Sequence, residues 1–130
     1  MEALTDQDRA LLKGTNFGHL ATLMEDGTPH VAPMWVDCDE DGYVLINTHP
    51  GRVKDLNVRR DPRVALSVED SDDPYSWVAI RGRVVEFVEG EPAWAHINEL
   101  SQRYNDQPYP VKQSRVIYRI APDHISRPNW

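Results

Sequence analysis

The residues with the clearest chemical potential lie in the segment THPGRVKDLNVRRDPR, residues 48–63. The whole chain carries a formal net charge of −7, so a local excess of positive charge needs a reason. The charged residues of this segment are Arg52, Lys54, Arg59, Arg60 and Arg63 against Asp55 and Asp61. Arg52 and Lys54 follow Gly51 at the point where an apolar run passes into a helical pattern.

Arg52 and Lys54 have the chemistry of an anion site. Backbone N–H groups at the start of a helix attract anions. Arginine adds a two-pronged donor, and lysine adds a point charge on the same oxygens. The pair has the chemistry to hold a phosphate. The alternative, which the pattern alone favours, is a solvated basic helix that pairs with the acidic loop at residues 70–73, because runs of charge are usually solvated faces.

The stretch APMWVDC, residues 32–38, is the second informative one. Proline cannot donate to a strand ladder, so Pro33 predicts a sheet edge or an opening. A flat ring could lie against the exposed backbone there and contact Met34 and Trp35. The alternative is that Met34 or Trp35 packs in the core. Trp77 and Tyr75 admit the same two interpretations.

Other kinds of chemistry find little support. The five histidines never fall three or four residues apart, and no HExxH motif occurs, so we expect no metal site. Cys38 is the only cysteine, which excludes an internal disulfide. There is no G-x-S-x-G motif, and the pattern identifies no catalytic residue. The acidic balance argues against a general nucleic-acid binder.

The helix and strand signals describe one domain, residues 1–130. Helices are predicted at Thr5–Gly14, where Thr5 and Asp8 form a capping box, and at about 52–60 and 90–106. In the second of these helices, Val53, Leu56 and Val58 are predicted to face inward. Strands are predicted at 17–24, 29–38, 43–48, 63–70, 77–89 and 114–125.

The Asp-Gly pairs at 26–27 and 41–42 mark tight turns, so the first three strands are predicted to form a meander. Gly82 predicts a bulge. Strands joined by tight turns pair antiparallel. The fold class is therefore mainly β with short helices (α+β), a small antiparallel barrel of six strands. No run of about 18 apolar residues and no secretory signal is present, so no membrane association and a cytoplasmic location are expected.

The ordered motifs closely resemble one known family. They are LATL…DGTPHVAPMW, GRVKDLNVRRDPRVAL, IRGR and LSQRYNDQPYP, spread from about Phe17 to Ile125. Together they are similar to the pyridoxamine 5′-phosphate oxidase-like, FMN-binding-like split β-barrels, and most similar to the branch that uses the deazaflavin coenzyme F420 in place of FMN. The resemblance implies a homodimer with two cofactors in clefts at the subunit interface.

The resemblance also implies roles for residues. Arg52 and Lys54 match the positions that grip the cofactor's phosphate. The positions that flank the ring and the ribityl chain are matched by Pro33, Met34, Trp35, Val36, Asn47 and Thr48. Trp77 and the region near Arg81 would come from the partner subunit or line the substrate side. Candidate linings for a coenzyme F420 tail are Arg59, Arg60, Arg63 and Lys13.

The implied reaction is hydride transfer from reduced coenzyme F420 to a conjugated acceptor, such as a quinone, an unsaturated lactone, a nitro compound or a biliverdin-like tetrapyrrole. Such cofactors carry the hard chemical step. Solvent could supply a proton, and so could His49, Tyr75 or Tyr109. Vitamin-B6 oxidation is not expected, because the C-terminal ISRPNW lacks the arginine-containing motif of the true oxidases.

Three alternatives stay open at this point. An FMN-binding oxidoreductase would have the same barrel. A non-catalytic protein could carry a flavin, a deazaflavin or a haem-like ligand. A dimerising barrel without any ligand is the third.

Overall fold

The computed structural model of the protein describes residues 1–129. Its elements, in chain order, are α1 Asp6–Lys13, β1 Phe17–Leu23, β2 Pro29–Trp35, β3 Asp37–Cys38, β4 Val44–Thr48, α2 Val53–Arg60, β5 Arg63–Asp70, β6 Asp73–Glu89, α3 Glu91–Asn105 and β7 Val116–Ser126. The longest helix has 15 residues, and within residues 1–129 no helix has the length and hydropathy of a membrane span.

The seven strands form one antiparallel sheet that curls into a half-barrel, in the order β2-β1-β5-β6-β7-β4-β3. Apolar side chains on the inner face of the curl form the core with residues from α1 and α2. The largest fully buried ones include Tyr118, Leu12, Leu20, Ile46, Ile80, Ile120 and Val58. The curl leaves β2 at one edge of the sheet and β4, with the short β3, near the other.

Several local signals in the sequence are confirmed. Thr5 caps α1 with the predicted capping box to Asp8, and the helix ends at Gly14. Gly27 turns the β1–β2 hairpin with φ +86°. The Pro33 strand lies at a sheet edge. Gly82 lies at a register shift between β6 and β7, and a Cβ there would overlap the carbonyl oxygen of Ala121.

The predicted meander of the first three strands is wrong. β2 ends at Trp35, and the chain then crosses to the opposite edge of the sheet, where β3 and β4 form their own hairpin. β4 pairs with β7, not with β2. The predicted count of six strands becomes seven because β3 is separate from β2. The run from Met34 to Cys38 is apolar almost throughout, so its pattern hides this break.

Two smaller predictions are also corrected. The predicted loop before Trp77 is strand from Asp73 onward, because residues 73–75 are exposed at the end of the β5–β6 hairpin, where polar side chains cost little. In α2, Val53 and Leu56 were predicted to face inward, but they are 47% and 57% exposed. The inward residues of α2 are Asp55, Asn57 and Val58.

Candidate anion-binding cleft

A cleft of about 380 Å³ opens where the two edges of the curled sheet approach each other. It lies between the ends of β2 and β4, under the N-terminus of α2 and the segment that joins α3 to β7. Its lining is Phe17, Pro33, Met34, Trp35, Asn47, Thr48, His49, Arg52, Lys54, Ile97, Tyr109, Gln113 and Arg115. The edge strand that Pro33 predicts therefore forms one wall of this cleft.

Three cations converge on the cleft. Within residues 1–129, the side chains of Arg52 and Lys54 have no hydrogen bond or ion pair, and Arg115 bonds only to neutral groups. Burial lowers the pKa of Lys54, and the positive charges of Arg52 and Arg115 lower it further. Like charges that repel one another without a counterion favour a bound anion. The cleft is therefore suited to a phosphate or a carboxylate.

Asp55 fixes the turn that presents Arg52 and Lys54. Gly51 adopts φ +90°, and its N–H donates to Asp55 Oδ2 at 2.8 Å. The Tyr118 hydroxyl donates to Asp55 Oδ1 at 2.6 Å. Burial alone would raise the pKa of Asp55, but these bonds and the one from Arg59 outweigh it and lower the pKa. The carboxylate closest in sequence to the cations is thus turned into the core, and although its charge raises the pKa of Lys54, burial and the charges of Arg52 and Arg115 outweigh it.

This anchoring predicts a loss of stability when the Asp55 carboxylate is removed. Asp55→Ala should lower the free energy of unfolding by about 3 kcal/mol, because it leaves buried donors unpaired. Urea denaturation at pH 7 measures the effect. Asp61→Ala is the matched control from the same segment, since Asp61 pairs only at the surface with Arg63 and its loss should barely move the midpoint. Equal shifts for the two variants would contradict the anchoring role.

The opposite wall of the cleft is aromatic. The Trp35 ring stacks on Tyr104 of α3 with centroids 5.1 Å apart and planes 15° from parallel. The Tyr104 hydroxyl accepts the Val36 N–H at 3.1 Å and donates to the Asn16 carbonyl at 2.6 Å. Trp35 is thus held from behind, next to the exposed backbone of an edge strand. Such a surface suits a flat conjugated ring.

The structure brings together seven of the nine cofactor-binding residues predicted from the sequence. Those that line the cleft are Pro33, Met34, Trp35, Asn47, Thr48, Arg52 and Lys54. Val36 is fully buried behind Trp35. Trp77 lies on β6 and lines a separate small cavity of about 180 Å³ with Ser67 and Pro74. Within one chain, Trp77 therefore does not reach this cleft.

The four basic residues that were candidates to line a coenzyme tail each have a partner inside the chain. Arg59 pairs with Asp55 and Glu89, and Arg60 donates to the Leu23 carbonyl. Arg63 pairs with Asp61 and Lys13 with Asp37. Within residues 1–129, none of the cations of residues 48–63 forms an ion pair with residues 70–73. The predicted pairing of the basic helix with this acidic loop is therefore wrong.

Sequence reasoning missed Arg115 and the supporting Tyr104. Arg115 directly precedes β7, and its only sequence signal is a cation at the start of an apolar strand. Of the three candidate proton donors, His49 and Tyr109 line the cleft. Tyr75 is 72% exposed on β6 and is not among the lining residues.

The curled sheet and its cleft define a split β-barrel. The model of the pyridoxamine 5′-phosphate oxidase family matches residues 4–127. The chain belongs to this oxidoreductase-like family, which binds flavin-type cofactors and whose proteins are commonly dimeric.

Solved structures give a finer comparison. A protein named F420 reductase is 35% identical, with a TM-score of 0.80 over 91% of this chain and 94% of its own. A conserved hypothetical protein from Mycobacterium tuberculosis is 27% identical, with a TM-score of 0.77 over 96% of this chain and 84% of its own. General stress protein 26 from Bacillus anthracis has a TM-score of 0.71 over 94% and 91%, and at 21% identity it supports the fold alone.

Proposed function

We propose that the protein is an oxidoreductase that uses reduced coenzyme F420 to transfer a hydride to a conjugated small-molecule acceptor. The observation that carries the proposal is one cleft with unpaired cations at one end and the supported Trp35 face at the other. A phosphate-bearing tricyclic ring needs both features. The 35% identity to a protein named F420 reductase supports the deazaflavin over FMN.

The residues divide the work of binding. Arg52 and Lys54 would hold the phosphate, with the N–H groups at the start of α2 beside them. Pro33, Met34 and Trp35 would hold the ring against the edge strand. When bound, the reduced deazaflavin supplies the hydride, while the protein orients the ring and the acceptor and excludes water.

Two side chains of the cleft could donate a proton to the reduced acceptor. The His49 Nδ1–H donates to the Pro50 carbonyl at 2.8 Å, so Nε2 of the neutral ring is an acceptor, and His49 would donate from Nε2 only as the doubly protonated imidazolium. The Tyr109 hydroxyl accepts from Gln113 and Arg115 at 3.3 and 3.4 Å, so its own proton stays free to donate. Solvent is the third source, and a variant series at both positions would separate them.

We also propose that the protein works as a cytoplasmic homodimer. Phe17 and Val31, on the outer face of the half-barrel, are 53% and 64% exposed. Burying such side chains against a second copy is favourable. In this arrangement Trp77 of one chain would complete the cleft of the other, which accounts for its position away from the cleft of its own chain.

A titration tests the proposed cofactor. Purified protein should bind coenzyme F420 more tightly than FMN, as measured by the change in fluorescence of each ligand. A yellow protein that retains FMN through purification, or binds FMN more tightly, would favour the FMN oxidoreductase instead. If coenzyme F420 binds but its reduced form is not oxidised by quinones, nitro compounds or unsaturated lactones, the protein would be a carrier.

A further inference from the structure

Behind the cleft, four polar side chains form a continuous hydrogen-bonded chain. The Asp37 carboxylate is 2.9 Å from His96 Nε2. On the other side of the ring, Nδ1 is 3.1 Å from the Asn47 side-chain nitrogen. The Asn47 side-chain oxygen accepts from Arg115 Nε at 2.9 Å. Asp37, Asn47 and His96 are at most 8% exposed, and Arg115 opens into the cleft.

The partners fix the protonation of the His96 ring. Asp37 is a carboxylate that only accepts, so His96 Nε2 must carry the proton. The Asn47 amide nitrogen donates to the Ala93 carbonyl at 2.9 Å and faces Nδ1 with its second hydrogen. Nδ1 is therefore the unprotonated acceptor. Turning the amide over would place its oxygen against the Ala93 carbonyl and its hydrogens against Arg115.

Asn47 in turn fixes the Arg115 guanidinium. Nε donates to the Asn47 side-chain oxygen, and one terminal nitrogen donates to the Asn47 main-chain oxygen at 3.3 Å. The other terminal nitrogen is 3.4 Å from the Tyr109 hydroxyl. Within residues 1–129 Arg115 has no ion pair. A cation held by neutral acceptors beside Arg52 and Lys54 is a donor with unused capacity for an anion.

We propose that Arg115 contacts the anionic group of the ligand directly and that His96 is a positioning residue, which holds Arg115 in the cleft through Asn47. The inference deepens the proposed function, because the ligand would carry its phosphate or carboxylate groups at this end of the cleft. Without the Asn47 acceptor, repulsion from Arg52 and Lys54 would turn Arg115 away toward water. Binding an anion would then cost the conformational entropy of ordering the Arg115 side chain, which the native protein already holds in place.

Two substitutions of His96 separate positioning from a structural role. Asparagine places a polar atom where Nδ1 lies, and glutamine places one where Nε2 lies. His96→Asn therefore keeps the acceptor for Asn47 and loses the bond to Asp37, whereas His96→Gln does the reverse. If His96 positions Arg115, His96→Asn should retain the affinity for the anion. If His96 serves only to pair with Asp37, His96→Gln should retain it instead.

The first readout is the affinity of the full-length protein for inorganic pyrophosphate, which a titration monitored by two-dimensional NMR measures. Arg115→Gln should weaken binding about tenfold or more, since it removes a charge-assisted contact. His96→Gln should weaken it about fivefold, and His96→Asn should stay within about twofold of the wild type, as expected for loss or retention of one neutral hydrogen bond. The second readout is the Arg115 Nε–H resonance, which should stay sharp in His96→Asn and broaden in His96→Gln.

Several outcomes would overturn the inference. Unchanged affinity in Arg115→Gln would remove Arg115 as a contact, and better retention in His96→Gln than in His96→Asn would remove the positioning role. If His96→Gln does not fold, Asn47→Ala breaks the same link while keeping His96 on Asp37, and it should behave as His96→Gln is expected to. Pyrophosphate binding with the expected pattern but no binding of coenzyme F420 would contradict the proposed function alone.

Discussion

Replacing Arg52 and Lys54 together by glutamine should lower the affinity for coenzyme F420 by about 10²- to 10⁴-fold. Each side chain would lose a charge-assisted hydrogen bond worth about 1.5–3 kcal/mol, and each 1.4 kcal/mol is about tenfold in affinity. The fold should be retained, since neither side chain bonds to another group within residues 1–129. Fluorescence titration measures the affinity, and a thermal melt checks folding.

Arg60 and Arg63 provide the matched control. Glutamine at both positions removes the same charge from the same segment, but neither residue lines the cleft. The control should leave the affinity within about threefold, because exposed charges at a distance are screened by salt. Equal losses in the two double variants would mean that only net charge attracts the ligand. The prediction that Arg52 and Lys54 bind the phosphate directly would then be wrong.

Local chemistry made much of the fold predictable. The capping box of α1, the Asp-Gly turns, the edge position of Pro33 and the bulge at Gly82 each depend on a few neighbouring residues. Such signals act through backbone geometry that the residue itself requires. They hold whatever the rest of the chain does, and for this reason they are confirmed.

Pairing between distant segments could not be read in this way. β4 pairs with β7, so that Asn47 lies opposite Ile117, and no tight turn joins the two strands. The sequence around the turn at Gly42 indicates a hairpin but not the edge of the sheet on which it lies. The inward face of α2 was missed for a related reason. Asp55 and Asn57 are polar, yet they are buried because distant partners satisfy them, among them Tyr118 and Thr22.

In the candidate site, too, the residues with local sequence signals could be predicted and those brought together from distant segments could not. Arg52 and Lys54 are two residues apart and follow a glycine turn, so their local sequence shows the chemistry of an anion site, and the family resemblance favours that site over a solvated face. Arg115 reaches the same cleft from the start of β7, 61 residues after Lys54. His96 and Asp37 are 59 residues apart. Nothing in either local sequence indicates that these residues meet, and only the curl of the sheet brings them together.

Asp37→Asn should lower the free energy of unfolding at pH 7 by about 3 kcal/mol, since a buried carboxylate with several charged partners is lost. Asp37 is 3% exposed and binds Lys13 at 3.0 Å, Arg103 at 3.2 Å and His96 at 2.9 Å. Burial alone would raise its pKa, but the bonds from His96 and Lys13 and the charge of Arg103 hold it well below the ordinary 3.8. Urea denaturation of both proteins between pH 7 and pH 2 measures the effect.

The stabilisation by Asp37 should decrease as the pH falls. A carboxyl whose pKa is lowered by folding binds fewer protons in the native state than in the unfolded state, so its stabilisation is complete above about pH 4 and is lost as the pH falls. The wild type should therefore lose stability in acid more steeply than Asp37→Asn, and the gap between them should narrow. Asp41→Asn is the control, because Asp41 is a largely exposed partner of Arg119 and its curve should follow the wild type throughout. A constant gap between wild type and Asp37→Asn from pH 7 to pH 2 would mean that packing, and not the charge of Asp37, holds α1, β3 and α3 together.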